Sequence, residues 1–260
     1  FNVDSVTFPD LITVIGATNN TNSAEILEYN FNEPRGSMVA NTASTTLAPS
    51  HGTVTSNAGP PSTTWQADPG RSLWMANEAG FGCLGVDNTT YASRVDTGWA
   101  VDHAGSLTIM FWTQMQAATA SASYAFGTTS GSARCYYTGS NFSLRSFGTL
   151  GSSYTITGTD PDTLTGWNHW ALVIDDATGT SQWYLNGAVD GAPVAFTPGT
   201  FAMPNATYGN FIAGSYSTTT SNWTRYADID DFRVYGIALN ASQIMAAMAS
   251  ENAATGTFGD

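Results

Sequence analysis

The sequence predicts an all-β fold, two antiparallel sheets packed face to face as a sandwich with one short C-terminal helix, and three observations carry that reading. Residues 167–187 alternate as two apolar strands around a Gly-containing turn. Short runs of Ser, Thr and Asn, together with the chain's 26 Gly, separate the other apolar segments as strand connections do. Outside residues 240–250 almost no stretch repeats with the helical period. The 260 residues are ordinary for one large β-sandwich, and a chain of this size buries about 73–75% of its unfolded surface on folding. One domain is the expectation.

In chain order, residues 1–24 hold Val3, Val6 and Phe8, then Leu11-Ile-Thr-Val-Ile15, bounded by Pro9 and by Asn19-Asn-Thr-Asn22. They read as an N-terminal arm containing a strand, which pairs with an edge of its own sheet or adds a strand to a neighbouring molecule. Gly80-Phe-Gly-Cys-Leu-Gly85 matches the letters of a dinucleotide fingerprint, but Val-Asp-Asn-Thr-Thr follows instead of a helix, so these are turn glycines. In the 167–187 segment Trp170, Leu172 and Ile174 share one face, and Trp183 and Leu185 line the second strand. Asp175-Asp-Ala-Thr-Gly179 supplies the turn, and Asn186-Gly187 closes the segment. His169 is out of phase with Trp170 and reads as a packed structural histidine. Asp228-Ile-Asp-Asp-Phe-Arg-Val-Tyr235 is a strand, and Asn240, with Gln243 three residues on, caps the helix that follows. Residues 251–260 are small and polar and read as a tail.

Three of these motifs occur in an order that resembles the laminin-G-like (concanavalin A-like) jelly-roll family. They are Trp167-Asn-His-Trp-Ala-Leu-Val173, Trp183-Tyr-Leu-Asn-Gly187 and Ile229-Asp-Asp-Phe-Arg-Val-Tyr235, preceded by Leu27-Glu-Tyr-Asn-Phe-Asn-Glu-Pro-Arg-Gly36. The resemblance spans residues 25–250 and implies a jelly-roll sandwich. It also implies a family made mainly of binding and adhesion modules, with some catalytic relatives, so function has to be read from a site.

Charge narrows the field. The seven basic residues are all Arg, at 35, 71, 94, 134, 145, 225 and 233, and the net charge is −13. Nucleic acid and anionic membrane surfaces need a basic footprint, which this chain lacks. Charged residues are 10% of the chain against about 25% in ordinary soluble domains, so Thr, Ser, Asn and Gly cover the surface. That suits an extracellular setting or a repeatedly packed assembly, and compositional bias explains it equally well. The chain opens at Phe1 with no basic-then-apolar leader and no run of about 18 apolar residues. The expectation is a mature or trimmed chain without membrane insertion, placed outside the cell, on a cell surface or on a virion. Cys83 and Cys135 are the two cysteines, and they pair across the sandwich in an exported protein or remain two buried thiols. The six Asn-x-Ser/Thr sequons, starting at Asn19, Asn88, Asn141, Asn205, Asn222 and Asn240, carry little weight in a chain this rich in Ser and Thr.

Catalysis finds no footing. The glucanase branch of the resembled family sets two Glu and an Asp at alternate positions of one strand, and that motif is missing. The closest Glu pair, Glu25 and Glu28, has an odd spacing that regular alternation sends to opposite faces. Between His103 and Thr159 there is no Asp or Glu at all. No nucleophile-elbow, zinc-helix or Cys-x-x-Cys motif appears, and His51, His103 and His169 are scattered.

The resemblance also implies calcium at a sandwich rim and sugar rings stacked on exposed aromatics. For calcium the candidates are Asp228 and Asp230, although alternation sets Asp230 with Phe232 and Asp231 with Arg233, and an in-strand Asp231–Arg233 ion pair is the alternative use of that segment. Asp160, Asp162, Asp87 and Asp96 are loop-borne possibilities. For a ligand the best segment is 216–226, where Trp223 stands beside Asn222 and Arg225 and between Tyr216 and Tyr226. Trp65 and Tyr136-Tyr137 come next, and Trp223 folded back over the sandwich edge is the structural alternative. Trp112, Trp167, Trp170 and Trp183 lie in strand patterns and are assigned to the core. The expected role is non-catalytic recognition of carbohydrate or another surface ligand such as a surface protein. The alternative is a structural subunit of a surface layer, filament or virion, a homo-oligomer or larger assembly built through the arm.

Overall fold

The computed structural model describes residues 24–31, 38–56, 84, 93–119, 123–137, 139–151, 154–156, 158–216 and 223–255. Nearly all of the N-terminal arm, Asn222, Trp65, Cys83 and Asp87 lie outside them. Six strands form one antiparallel sheet in the order β1 (Glu25–Tyr29), β16 (Ala227–Tyr235), β6 (Leu107–Met115), β11 (Trp167–Asp175), β12 (Thr180–Leu185) and β13 (Ala188–Ala195). Eight form the second, in the order β10 (Tyr154–Thr155), β9 (Phe142–Arg145), β8 (Arg134–Tyr137), β7 (Ser123–Thr128), β15 (Asn210–Ala213), β4 (Ser93–Ala100), β3 (His51–Ser56) and β2 (Met38–Ala40). A small ladder joins β5 (His103–Ala104) to β14 (Ala202–Met203), and the α-helices among the described residues are α1 (Asn205–Tyr208) and α2 (Ala241–Thr255). This is the two-sheet sandwich that the alternation predicts.

The central hairpin forms where the sequence places it. Trp170, Leu172 and Ile174 of β11 point inward, opposite Leu185, Trp183 and Ser181 of β12. Gly179 ends the turn at φ +67°, with its N–H donating to the Asp175 carbonyl at 2.8 Å. The Asp175 carboxylate accepts from the Ala177 and Thr178 amides and so holds the corner. Asn186 and Gly187, at φ +51° and +80°, make the two-residue turn from β12 to β13 that an Asn-Gly pair favours.

Between the sheets lies an aromatic core. Phe142 packs edge-on to Trp170 at 5.1 Å, Trp170 edge-on to Trp183 at 5.8 Å, and Phe111 stacks on Phe232 at 5.9 Å. Each such pair adds about 0.5–1.5 kcal/mol beyond the area it buries. Trp112 is buried as expected, though on the other face of β6, edge-on to His169 at 5.2 Å. Trp167, at the first position of β11, is half-buried. Strand alternation explains Trp112, since Phe111 already takes the inward position.

On the outer face of the six-stranded sheet, Met110, Ala171, Val173 and Tyr235 meet Leu239 and Ile244 in a second, smaller cluster, so α2 covers this part of the face. The helix starts as expected. Asn240 Oδ1 accepts from the Gln243 amide at 3.0 Å while the Asn240 amide donates to Gln243 Oε1 at 2.9 Å, a reciprocal capping box. It continues to Thr255, five residues into the segment expected to be tail. No helix among the described residues is long and apolar enough to cross a membrane.

Two bulges overturn the simple alternation read from sequence. In β1 the register slips between Glu25 and Leu27, which brings Glu25 and Glu28 to the same guanidinium instead of opposite faces. Arg233 reaches Glu25 Oε1 at 3.4 Å and Glu28 Oε1 at 2.9 Å. In β16 the register slips between Asp230 and Arg233, with Asp231 at φ +43°. Phe232 and Val234 therefore enter the core, while Asp230 pairs with Trp112 and Arg233 with Met110 on the outer face. Asp230 and Phe232 do not share a face, contrary to the sequence reading.

Candidate functional site

On the eight-stranded sheet, polar and aromatic side chains gather on the outward face of β7, β8 and β9. On β8, Cys135 and Tyr137 point inward and are buried, which turns Arg134 and Tyr136 outward. The cross-strand partners continue the pattern: Tyr136 stands opposite Tyr124 of β7, and Arg134 opposite Arg145 of β9. Tyr216, just past β15, folds over the same surface.

These side chains form one patch. Tyr124 and Tyr216 lie 4.0 Å apart between ring centroids, and Tyr124 and Tyr136 5.9 Å apart. The Arg134 guanidinium sits 4.8 Å from the Tyr216 ring and 5.9 Å from the Tyr124 ring, within cation–π range. Its Nη1 donates to the Gly131 carbonyl at 2.8 Å, which fixes the group. All three tyrosines and Arg134 are half-buried, and Arg145 is exposed. Burial, then the hydrogen bond with Tyr216, hold the Tyr124 hydroxyl above its ordinary pKa, so it stays a neutral donor at physiological pH. Rings tilted against one another by 36° and 51°, with a guanidinium beside them, can receive the apolar face of a pyranose and bond its hydroxyls.

Gly127 makes room for the patch. A Cβ on that residue would overlap Tyr216 Cβ and come within 2.6 Å of the Ala133 carbonyl oxygen. Gly127→Ala is therefore expected to cost about 1–3 kcal/mol by overpacking and to displace Tyr216. Urea unfolding reads the first effect, and tyrosine fluorescence quenching by a soluble quencher reads the second.

The segment 216–226 divides between surface and core. Trp223 is fully buried, which corrects its assignment as a stacking platform. A 3₁₀ turn over Trp223–Arg225 tips the indole inward, where it packs on Phe142 at 5.0 Å and Tyr137 at 5.8 Å. Its Nε1–H donates to Thr113 Oγ1 at 2.9 Å, and that hydroxyl donates to the Asp228 carbonyl at 2.7 Å, so the polar end is satisfied inside. Tyr226 is also buried. Arg225 lies in the same turn, and its side chain is outside the description, as is Asn222. Of the five, Tyr216 is the one the structure places in the patch, where Tyr124 stands against both it and Tyr136, the outward half of the Tyr136-Tyr137 pair. Tyr124, Arg134 and Arg145 were absent from the sequence candidates. The acid-free run from His103 to Thr159, which contains both arginines, was the signal that could have found them.

Asp228 and Asp230 share a face but do not fit calcium. Both are buried; Asp228 Oδ2 accepts from Gln116 Nε2 at 2.6 Å and Asp230 Oδ1 from the Asp231 amide at 2.8 Å. Calcium takes six to eight oxygens, and no three Asp, Glu, His or Cys side chains converge among the described residues. Asp160 and Asp162 serve structure: Asp160 caps the Pro161–Thr163 turn and accepts from Tyr137, while Asp162 accepts from Thr119. Cys135 is buried, which raises its thiol pKa, and the Cys83 end of the expected pair lies outside the described residues. His169 is buried with its pKa lowered to about 3, by burial first and then by Arg233, so it is a neutral packing group.

Solved structures of the same fold cover nearly the whole chain. A botulinum neurotoxin serotype D ligand binding domain, in complex with N-acetylneuraminic acid, is 10% identical with a TM-score of 0.60 over 90% of this chain and 52% of its own. A botulinum neurotoxin DC binding domain, in complex with rat synaptotagmin II, is 12% identical at a TM-score of 0.59, over 89% and 52%. A structure of botulinum neurotoxin type C, whose cell entry is dependent upon interaction with two ganglioside molecules, is 12% identical at a TM-score of 0.56, again over 89% and 52%. The chain spans about half the length of these structures, and at such identities the likeness is one of fold. No curated protein matches. The sequence itself matches a family over residues 87–245, more than half of the chain, although β1 upstream of that span is built into the same sheet. On that match and this sandwich, the chain belongs to the concanavalin A-like lectin/glucanases superfamily.

Proposed function

We propose that this chain is a non-catalytic recognition module, acting outside the cell or on a particle surface, that binds carbohydrate on the tyrosine–arginine patch of its eight-stranded sheet. The observation that carries the reading is the constellation of Tyr124, Tyr136 and Tyr216 around Arg134, four side chains from three separate chain segments held on one outward face. Ligands named for the similar toxin domains, N-acetylneuraminic acid and gangliosides, support sugar as the class, and synaptotagmin supports a surface protein as a partner class. The converging carboxylates Glu25 and Glu28 are held by Arg233 on an edge strand and are largely buried, which supports a structural and not a catalytic role.

A glycan array probed with the chain, and with Tyr124→Ala and Tyr216→Ala variants, tests the reading. Selective binding that falls about tenfold or more in either variant, on the scale of one lost stacking ring, supports it. Full binding in both variants removes the patch from the account.

The structural-subunit reading has one observation in its favour: β13 is the last strand of its sheet among the described residues, with Val189 exposed. Gly191 and Pro193 interrupt that strand and weaken it as a template for another chain. Mass measurement with and without residues 1–24 separates the two readings.

A further inference from the structure

Arg134 and Arg145 stand directly opposite each other on β8 and β9 and face the same way. Like charges in that position destabilise a sheet, because their Cβ atoms are about 5 Å apart. Nothing described neutralises them: the ion pairs among the described residues belong to Arg94 and Arg233. Following the register through Gly127 and Ile212, the acid in line with Arg134 on this face is Asp96. It lies three strands away, about 14 Å by strand spacing, and is already paired with Arg94 at 3.3 Å. A chain of net charge −13 thus sets two of its seven cations side by side, in a segment free of acids and against a cluster of tyrosines.

We propose that these two arginines form an anion subsite and that the sugar bound on the patch is an acidic one, bearing a carboxylate or sulfate. The inference rests on the recognition reading above and names its ligand class. Arg134, stacked on Tyr216 and tied to the Gly131 carbonyl, is preorganised. Arg145, exposed on the neighbouring strand, closes on the same anion from the other side. Two guanidinium forks one strand apart match the planar oxygens of a carboxylate or two oxygens of a sulfate, and the anion offsets their mutual repulsion. The tyrosines beside them hold the ring that carries it.

The test uses an array of matched triplets in which each galactose, glucose and N-acetylglucosamine backbone appears neutral, carboxylated and sulfated. Acidic members are expected to bind about tenfold or more tightly than their neutral parents, the scale of a charge-assisted hydrogen bond. Arg145→Gln is expected to bring them down to the parents' level, with a melting temperature no lower than wild type confirming the fold. A preference for one acidic arm identifies the anion. If neutral parents bind as well as acidic ones and Arg145→Gln changes nothing, the anion subsite is overturned while the recognition reading stands. If no member binds, both fall.

Discussion

Trp223→Ala should lower the unfolding free energy by about 4 kcal/mol, the usual cost of deleting a fully buried tryptophan. The indole fills the space beside Phe142 and Tyr137, and removing it leaves a cavity between two sheets that cannot collapse without moving Trp170 and Trp183 as well. It also leaves Thr113 without its donor. Trp223→Phe separates the two contributions, because it keeps most of the packing and loses the hydrogen bond, and about 1–2 kcal/mol is expected for it. Denaturant unfolding measures both. A Trp223→Ala protein of undiminished stability that had lost its ligand would restore this residue as a surface platform.

Glu25→Gln should stabilise the protein above neutral pH and do little near pH 4.5. In the fold the Glu25 carboxyl is raised from 4.5 to about 7, by burial first and then by Glu28, with Arg233 and Tyr235 pulling it back only in part. Asp231 is raised from 3.8 to about 6 by burial, again against Arg233. Two carboxylates pair with one guanidinium and a third lies within its field, and the folded state holds protons that the unfolded chain has released. A raised acid contributes its full stability below its unfolded pKa and loses it as pH rises through the folded value. Wild-type stability should thus fall between pH 4.5 and about 7, with Glu25 alone responsible for about 3 kcal/mol. Melting temperatures of wild type and Glu25→Gln across pH 4–8 check this. Parallel curves for the two proteins would contradict the assignment.

Much of the fold was legible because local chemistry and tertiary structure agree. Alternation placed Trp170, Leu172 and Ile174 in the core, Asn186-Gly187 made its two-residue turn, and Asn240 with Gln243 closed the capping box. The two bulges were not legible. One extra residue at Glu25–Leu27 and another at Asp230–Arg233 reverse the phase of everything beyond them, and no side chain there announces the slip; Asp231, at positive φ, is not a glycine. That is why the Glu25–Glu28 convergence was missed and why Asp230 was set with Phe232.

The patch was half legible. Tyr216 and Tyr136 stood among the aromatic candidates, but Trp223 drew attention through its polar neighbours, which say nothing about where a 3₁₀ turn will aim an indole. Tyr124, Arg134 and Arg145 sit in ordinary strands, and what joins them is register across three strands, a property of pairing and not of spacing. The acid-free run served to exclude a carboxylate pair, and the same fact describes a face left cationic by subtraction.

The decisive measurement is a side-chain NMR titration of the intact chain, with tyrosine rings and arginine guanidinium groups labelled, against the strongest binder from the glycan array. Recognition on the eight-stranded sheet requires the shifts to gather on Tyr124, Tyr136, Tyr216, Arg134 and Arg145 and to spare Tyr184 and Arg233 on the opposite sheet. Shifts gathered on that opposite sheet instead, with the three patch tyrosines unmoved, would contradict it.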